Sequence, residues 1–382
     1  MPGEQAIHMQ TICHRESRIR MQINELVERD REMNIDIRSM YFQELEELCK
    51  SLGWPRFRAG QIYQWIHQKL VRSVDEMTNL PKDIRERLAE NFICVEEEKR
   101  YVSKLDGTNK FLFRLQDGNL IESVWMPYKH GNSVCISSQV GCRMGCRFCA
   151  STVDGMVRNL TASEMLDQVY AMQYYMGERV SNIVVMGSGE PMDNYENLIR
   201  FLHLVTSEKG LNISQRNITV SSCGLVPEIK RFAEEELSVT FALSLHATTD
   251  EERQELMPVA KRYSIQEVLG ACQYYFEKTG RRVTYEYSLV QGVNDSPAHA
   301  ERLGELLKNQ RPCHVNLIPV NPIEERKYEK ATEKTVQKFK YILENNQINV
   351  TIRRGMGSDI DAACGQLRRK YIASGKGIEA KD

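Results

Sequence analysis

The sequence has no run of eighteen uncharged apolar residues, and its start lacks the basic flank, apolar stretch and small-residue cleavage site of a secretory leader. Neither a membrane span nor secretion is expected, which leaves the cytoplasm as the expected compartment. Surplus charge is missing too. Lys and Arg total 51 against 52 Asp and Glu, a net charge of -1, so no global field points to nucleic acid or to a membrane surface. Long low-complexity segments are absent, and 382 residues at 41% hydrophobic content suffice for two or more domains with a sizeable core.

Cysteine, by contrast, is abundant, with eleven residues. In a reducing compartment thiols stay free for metals or chemistry, and their distribution indicates which. Cys13, Cys49, Cys94, Cys223, Cys272 and Cys313 are scattered, whereas Cys135, Cys142, Cys146 and Cys149 crowd together and Cys364 stands apart near the C-terminus. Cys142-Arg-Met-Gly-Cys146-Arg-Phe-Cys149 offers three thiolates in a glycine-containing loop. Three cysteines on a four-iron, four-sulphur cube leave one iron without a protein ligand, able to chelate a small molecule. Structural zinc, with Cys135 as a fourth ligand, is the rival reading, and core cysteines are the bland one.

The first twenty residues show no sustained period and read as a leader. Helical spacing over residues 37–70 and 82–93 predicts a small helical domain within 1–95. A β-hairpin connector is expected over 96–130, from Lys110 to Leu115, a turn at Asp117-Gly118, and Leu120 to Val124. From 131 to 370, β-rich runs at 133–137, 182–187, 217–222, 239–245, 282–289, 314–319 and 348–353 alternate with helical stretches at 162–176, 194–206, 226–235, 264–278, 297–308 and 332–346. The pattern predicts an α/β fold with a parallel sheet, a partial (β/α) TIM-type barrel, whose ligands gather at the C-terminal ends of the strands. Residues 371–382 read as a polar tail.

The three-cysteine loop resembles the signature of radical S-adenosylmethionine enzymes. Together with Cys135-Ile-Ser-Ser-Gln-Val-Gly-Cys142, Met186-Gly-Ser-Gly-Glu190-Pro191, Leu243-Ser-Leu-His246-Ala, Val293-Asn-Asp295, Asn316-Leu-Ile-Pro-Val-Asn321-Pro and Gly357-Ser-Asp359-Ile-Asp361-Ala-Ala-Cys364, it resembles the RlmN/Cfr family of RNA adenosine methyltransferases over residues 37–370. That resemblance implies a [4Fe-4S] cluster on Cys142, Cys146 and Cys149 and a cofactor site formed by Gly189, Glu190, Ser221, Ser244, Leu245, His246 and Asn321. It also implies two S-adenosylmethionine molecules per turnover. One methylates Cys364; the second yields a 5′-deoxyadenosyl radical that takes a hydrogen from the S-methyl group, and the carbon radical then adds to adenine. Cys135 becomes the thiol that resolves the protein–RNA adduct through a transient disulphide with Cys364, and Glu122 the proton acceptor. Without the resemblance Gly189 simply turns the chain, His246 is a satisfied core imidazole, Cys135 a small buried hydrophobe and Glu122 a solvated glutamate.

Lys50, Arg56, Arg58, Lys69 and Arg72 form a stretch without an acidic residue, interleaved with Trp54, Phe57, Tyr63 and Trp65. Such residues can contact phosphates and stack bases, or can be a helical core under an ordinary charged face. Arg368, Arg369 and Lys370 are a second basic run close to Cys364. The family implies 23S rRNA as substrate, an adenosine beside the anticodon of some tRNAs as a second one, and a low-potential electron donor such as flavodoxin or ferredoxin. A monomer is expected. Pro191 after Glu190 resembles the RlmN branch, which acts at C2, more than the Cfr branch, which acts at C8; Ser188 departs from the methionine common in both. Other readings are an iron–sulphur RNA-binding module and a radical enzyme maturing a protein.

Overall fold

The computed structural model describes residues 36–321, 328–360 and 366–373. The leader expected at the N-terminus, most of the expected tail and Cys364 lie outside them. The chain divides at Ile93/Cys94 into two compact units.

The first unit is helical. Helices α1 (Phe42–Ser51), α2 (Phe57–His67) and α3 (Lys82–Ala89) follow one another with short 3₁₀ turns at Ile37–Ser39 and Val74–Glu76. Glu44 accepts the Tyr41 N–H at 2.7 Å and so starts α1. Leu45 and Cys49, Ala59, Ile62, Tyr63 and Ile66, and Ile84 and Leu88 are the buried stripes of the three helices. Of the four aromatics interleaved with cations, Tyr63 is core while Phe57 is 61% exposed, so the helix presents that ring to solvent.

The second unit is built on one ten-stranded sheet. It begins with β1 (Glu96–Val102), β2 (Asn109–Arg114), β3 (Leu120–Tyr128) and β4 (Gly131–Cys135), antiparallel neighbours in that order. Then β7 (Val180–Val185), β8 (Ile218–Ser222), β9 (Thr240–Ser244), β10 (Val283–Leu289), β11 (Cys313–Pro319) and β12 (Asn349–Ile352) continue from β4, each parallel to its neighbour. Helices α4 (Ala162–Met176), α5 (Tyr195–Thr206), α6 (Val226–Ala233), α7 (Asp250–Leu256), α8 (Ile265–Thr279), α9 (Pro297–Leu307) and α10 (Glu333–Asn345) connect the parallel strands, and α11 (Gln366–Ala373) ends the described chain. The order β1-β2-β3-β4-β7-β8-β9-β10-β11-β12 does not close on itself, as a partial barrel requires.

The hairpin of β2 and β3 is thus not a free connector. It has a third strand, β1, and β4 joins it directly to the parallel strands. Glu96–Val102 escapes a hydrophobic reading because it is a partly exposed edge strand, with no residue fully buried, made mostly of charged residues. Helix α11 also runs to Ala373, past the expected start of a tail. Leu367 packs on Leu112 and Leu120, and the partly buried Tyr371 ring joins that cluster while its hydroxyl bonds Glu98.

A short two-stranded ribbon, β5 (Gln139–Gly141) with β6 (Met156–Asn159), brackets the cysteine loop. At its base the Cys142 N–H donates to the Gly155 carbonyl at 2.9 Å. A Cβ on Gly141 would lie 2.0 Å from that same oxygen, so the pinch requires glycine there, at φ +77°. Gln168 on α4 fixes the chain after β4: its Oε1 accepts from the Ser137 N–H and the Ser123 hydroxyl, both at 2.8 Å, and its Nε2 donates to the Ser137 carbonyl at 3.0 Å.

Candidate active site

Strand register assigns the side chains to two faces. Glu122, Val124, Cys135, Val184, Thr219, Ser221, Ala242, Ser244, Glu286, Asn316 and Thr351 are matched across β3 to β12 and share one face. The intervening residues, Val134, Ile183, Val185, Val220, Phe241, Leu243, Tyr285, Tyr287, Val315 and Leu317, are buried on the other. Phe241 there meets Phe232 of α6 and Tyr275 of α8, and Tyr287 meets Phe339 of α10. The helices cover the apolar face; the polar face carries the expected chemistry.

In the cysteine loop, Cys142 and Cys146 are buried and Cys149 is half-buried. The Cys149 N–H donates to the Cys146 carbonyl at 3.1 Å, and the Thr152 hydroxyl lies 2.9 Å from both carbonyls. The Arg147 N–H holds the loop to the Leu256 carbonyl of α7 at 2.9 Å, and Cys146 packs with Cys223, Ala247, Leu256 and Met257. Burial first, then the neighbouring Cys149, Glu190 and Asp193, pushes the Cys142 thiol up to about 12. Cys146 is raised likewise, by burial and then by Cys149 and Cys142. Buried thiols raised in this way, as at Cys142 and Cys146, can serve as donors where metal charge replaces their protons. Among the described residues no three Cys, His, Asp or Glu side chains gather as ligands of a single ion.

The Gly187-Ser188-Gly189-Glu190 segment lies against residues 136–139. Ser138 and Gln139 donate backbone N–H groups to the Ser188 carbonyl at 2.9 and 3.1 Å. Gly189 has φ +108°, and a Cβ there would meet Ser138 Oγ at 2.6 Å and Gln139 Cβ at 2.7 Å. Ser188 accommodates its departure from methionine by donating its hydroxyl to the Gly141 carbonyl at 3.4 Å. The buried Glu190 carboxylate accepts the Met192 N–H at 3.1 Å and the Cys223 N–H at 2.8 Å, and the Glu190 N–H donates to Gln139 Oε1 at 2.9 Å. It ties the ends of β7 and β8 together.

Ser221 is half-buried on the polar face and donates to the Val185 carbonyl at 3.3 Å. Ser244 ends β9 on the same face, and the Leu245 and His246 N–H groups both donate to the Glu286 carbonyl, at 3.1 and 3.3 Å. His246 is buried at φ +59°, a left-handed conformation unusual for a side chain of this size. Its surroundings over-determine that conformation: Nδ1 accepts the Ser288 N–H at 2.9 Å, its carbonyl accepts Asn294 Nδ2 at 2.8 Å, and Phe148 of the cysteine loop packs edge-on at 4.7 Å. Burial, then the Arg253 charge, lowers its pKa to about 3, so the imidazole is neutral at ordinary pH. Asn321 is exposed after β11.

Cys135 is buried among Val124 and Met126, with Met356 packed against the same cluster. Glu122 is not solvated. Its Oε2 is 2.7 Å from Lys110 Nζ, with the lysine side chain 0% and the glutamate side chain 6% exposed, and its Oε1 accepts the Arg368 N–H at 2.5 Å. The chain therefore passes Cys135 before residues 361–365 and passes Glu122 after them.

The cations are mostly engaged. Arg56 pairs with Glu46 at 2.8 Å, Lys50 lies 3.8 Å from Glu47, and Arg58 stacks over Phe57 at 4.7 Å. Lys69 sits 3.4 Å over the Trp65 ring, and at Arg72 it is the backbone N–H, not the guanidinium, that donates to Glu76 Oε1 at 2.8 Å. Arg369 pairs with Asp154 at 3.0 Å, Arg368 is partly buried, and the Lys370 side chain is outside the described set. No helix of the described residues is long and apolar enough to cross a membrane.

Lys110, Gln168 and Asn294 were not singled out by sequence reasoning. Lys110 had a signal: it occupies the inward parity of β2, two residues before buried Leu112. Asn294 donates to the His246 and Ser288 carbonyls and accepts the Val290 N–H, a role with no sequence signal beyond its motif.

A partial parallel barrel with a three-cysteine loop and a polar face at its strand ends defines a radical S-adenosylmethionine enzyme, and residues 136–303 match the radical SAM superfamily model. Residues 35–94 match the model of the ribosomal RNA large subunit methyltransferase N-terminal domain. A protein of Lachnoclostridium phytofermentans, described as "probable dual-specificity RNA methyltransferase RlmN", is 62% identical over 339 residues, covering 88% of this chain and 95% of its own. One of Clostridium perfringens with the same description is 56% identical, covering 88% and 97%. The crystal structure of a radical SAM methyltransferase from Sphaerobacter thermophilus matches at TM-score 0.83 and 44% identity over 87% of this chain and 98% of its own. The chain belongs to the RlmN family of radical SAM RNA methyltransferases.

Proposed function

We propose that the protein methylates C2 of an adenosine in the peptidyl-transferase centre of 23S rRNA and of an adenosine beside the anticodon in some tRNAs, with two S-adenosylmethionine molecules per turnover. The description of the relatives as dual-specificity RNA methyltransferases supports the substrates, and Pro191 after Glu190 supports C2 over C8. The observation that carries the reading is the path of the chain around residues 361–365. It enters from Met356, packed against the Cys135 cluster, and leaves through Arg368, whose N–H is held by Glu122. The two expected partners of Cys364 thus lie beside described residues on either side of 361–365, Met356 before them and Arg368 after them.

Cys142, Cys146 and Cys149 would hold one [4Fe-4S] cluster. When bound, the cluster supplies the electron, drawn from a low-potential donor such as flavodoxin or ferredoxin, that splits the sulphonium of S-adenosylmethionine. Gly189 lets the chain after β7 lie against Ser138 and Gln139, with Glu190 fixing the strand ends, while Ser221, Ser244, Leu245, neutral His246 and Asn321 would hold the cofactor's ribose and adenine. Cys364 carries the methyl group. Adenine C2 is an electrophilic amidine carbon, so a methyl cation donor cannot attack it directly, and delivery from the protein's own sulphur avoids that conflict. Once the radical adduct has returned one electron to the electron-donating system, Glu122 takes the ring proton; the Cys135 thiolate then attacks the Cys364 sulphur, and the S–CH2 bond pair goes to the carbon, which takes up a proton to become the methyl group as the disulphide forms. The cations of the first unit and of α11 supply phosphate contacts.

The test is anaerobic reconstitution with iron and sulphide, then S-adenosylmethionine, reductant and either a 23S rRNA fragment or tRNA. Mass spectrometry should find 2-methyladenosine together with 5′-deoxyadenosine. The 8-methyl isomer would move the protein to the Cfr branch, and RNA binding without either product would make it a binding module.

A further inference from the structure

We propose that Lys110 is a positioning residue of the methyl-transfer site: from β2 it fixes the carboxylate of Glu122 and, through it, the start of α11. The inference rests on the reading of Glu122 as proton acceptor. Lys110 is registered opposite Val124 and Leu112 opposite Glu122, so lysine and glutamate are diagonal neighbours on one face of the β2–β3 pair. Their charged atoms are 2.7 Å apart and both side chains are buried. Buried ion pairs seldom add net stability over an apolar pair of the same volume, so stability alone does not account for one here.

The second carboxylate oxygen accepts the Arg368 N–H. One oxygen is thus fixed from the sheet and the other from the helix that follows residues 361–365. Glu122 lines a narrow cleft together with Ala150, Ser151 and Asp154, which follow the cysteine loop, Ser188 after β7, and Arg368 and Arg369. A group that must meet one ring hydrogen in a single orientation needs such restraint, because small displacements of a reacting group cost large factors in rate. Lys110 touches the acceptor; nothing in the geometry requires it to touch the base.

The experiment is a single-turnover assay on the cluster-loaded protein, following methyl loading of the chain, 5′-deoxyadenosine, the covalent protein–RNA adduct and released methyladenosine. Lys110→Met should load methyl and form the adduct like the wild type but resolve it at least about tenfold more slowly, the size expected when an acid–base group is misplaced. Lys110→Arg should restore most of the resolution rate. Because Lys110→Met leaves a buried carboxylate without its cation and is prone to unfold, Lys110→Met/Glu122→Gln is the companion. It removes both charges and should melt above the single Lys110→Met variant while resolving adduct no more slowly than Glu122→Gln alone. Resolution at the wild-type rate in folded Lys110→Met, equal loss of methyl loading and resolution, or additive losses in the double variant would overturn the proposal. Glu122→Gln resolving adduct normally would instead overturn the reading of Glu122, whatever Lys110 does.

Discussion

The two faces of the long sheet share a backbone and differ in everything else. On the helix-covered face Val134, Ile183, Val220, Phe241, Leu243, Tyr285, Val315 and Leu317 are sealed from solvent. On the other, the same strands present Glu122, Cys135, Ser221, Ser244, Glu286, Asn316 and Thr351. A closed eight-stranded barrel fills its interior with branched apolar side chains; this open sheet sets polar side chains among apolar ones such as Val124, Val184 and Ala242 on its inner face, and β1 to β4 extend that face to Glu122 and Cys135. The division separates stability from chemistry along a one-residue alternation, so substitutions at adjacent positions should fail in different ways.

The largest effect expected on the polar face is that of Cys135→Ala. It should abolish free methylated RNA while methyl loading continues and protein accumulates covalently on RNA, seen as a shifted band on denaturing gels. Its stability cost should be about 1 kcal/mol, the loss of a small buried group. Release of methylated RNA at the normal rate would remove Cys135 from the chemistry. On the opposite face Phe241→Ala should cost about 3–5 kcal/mol by denaturant titration, since the ring is wholly buried between Phe232 and Tyr275. Whatever fraction stays folded should resolve adduct normally. A specific catalytic defect in that variant would break the division between the faces.

Much of this alternation is legible in the sequence, because a strand with one apolar face declares itself by period two. All seven β-rich runs expected after residue 131 are strands, and the helical stretches between them are helices. What was illegible has physical causes. Strand β1 is a charged edge, and α7 is a seven-residue helix that no hydrophobic stripe announces. Taken without the family resemblance, Glu122 read as a solvated hairpin residue, because the parity of Lys110 shows that it faces inward but only the register shows that it lies diagonal to Glu122. The roles given to Cys135, Glu122 and the strand-end residues came from family resemblance; burial and hydrogen bonds alone would have left His246 and Glu190 as satisfied core groups.

Glu286 gives the subtlest test, because it is a polar-face residue that the chemistry above does not use. Its side chain is buried and accepts Asn316 Nδ2 at 2.9 Å, with Asn316 bonded in turn to Thr351. Burial raises its pKa from 4.5 to about 6, the Arg353 charge and the Asn316 bond opposing the shift. The folded protein therefore holds this proton more tightly than the unfolded chain does. Between pH 4.5 and about 6 the folded state binds more protons, so this group's contribution to stability is present in full below 4.5 and is lost as the pH rises through about 6, a loss of about 2 kcal/mol. Glu286→Gln keeps an acceptor for Asn316 and has no proton to lose. Relative to the wild type, its unfolding free energy should gain across that window and level off above it, measured by urea titration at a series of pH values. A difference that stays flat from pH 4 to 7 would mean that Glu286 is solvated in solution, and that the polar face is wetter at its centre than its hydrogen bonds imply.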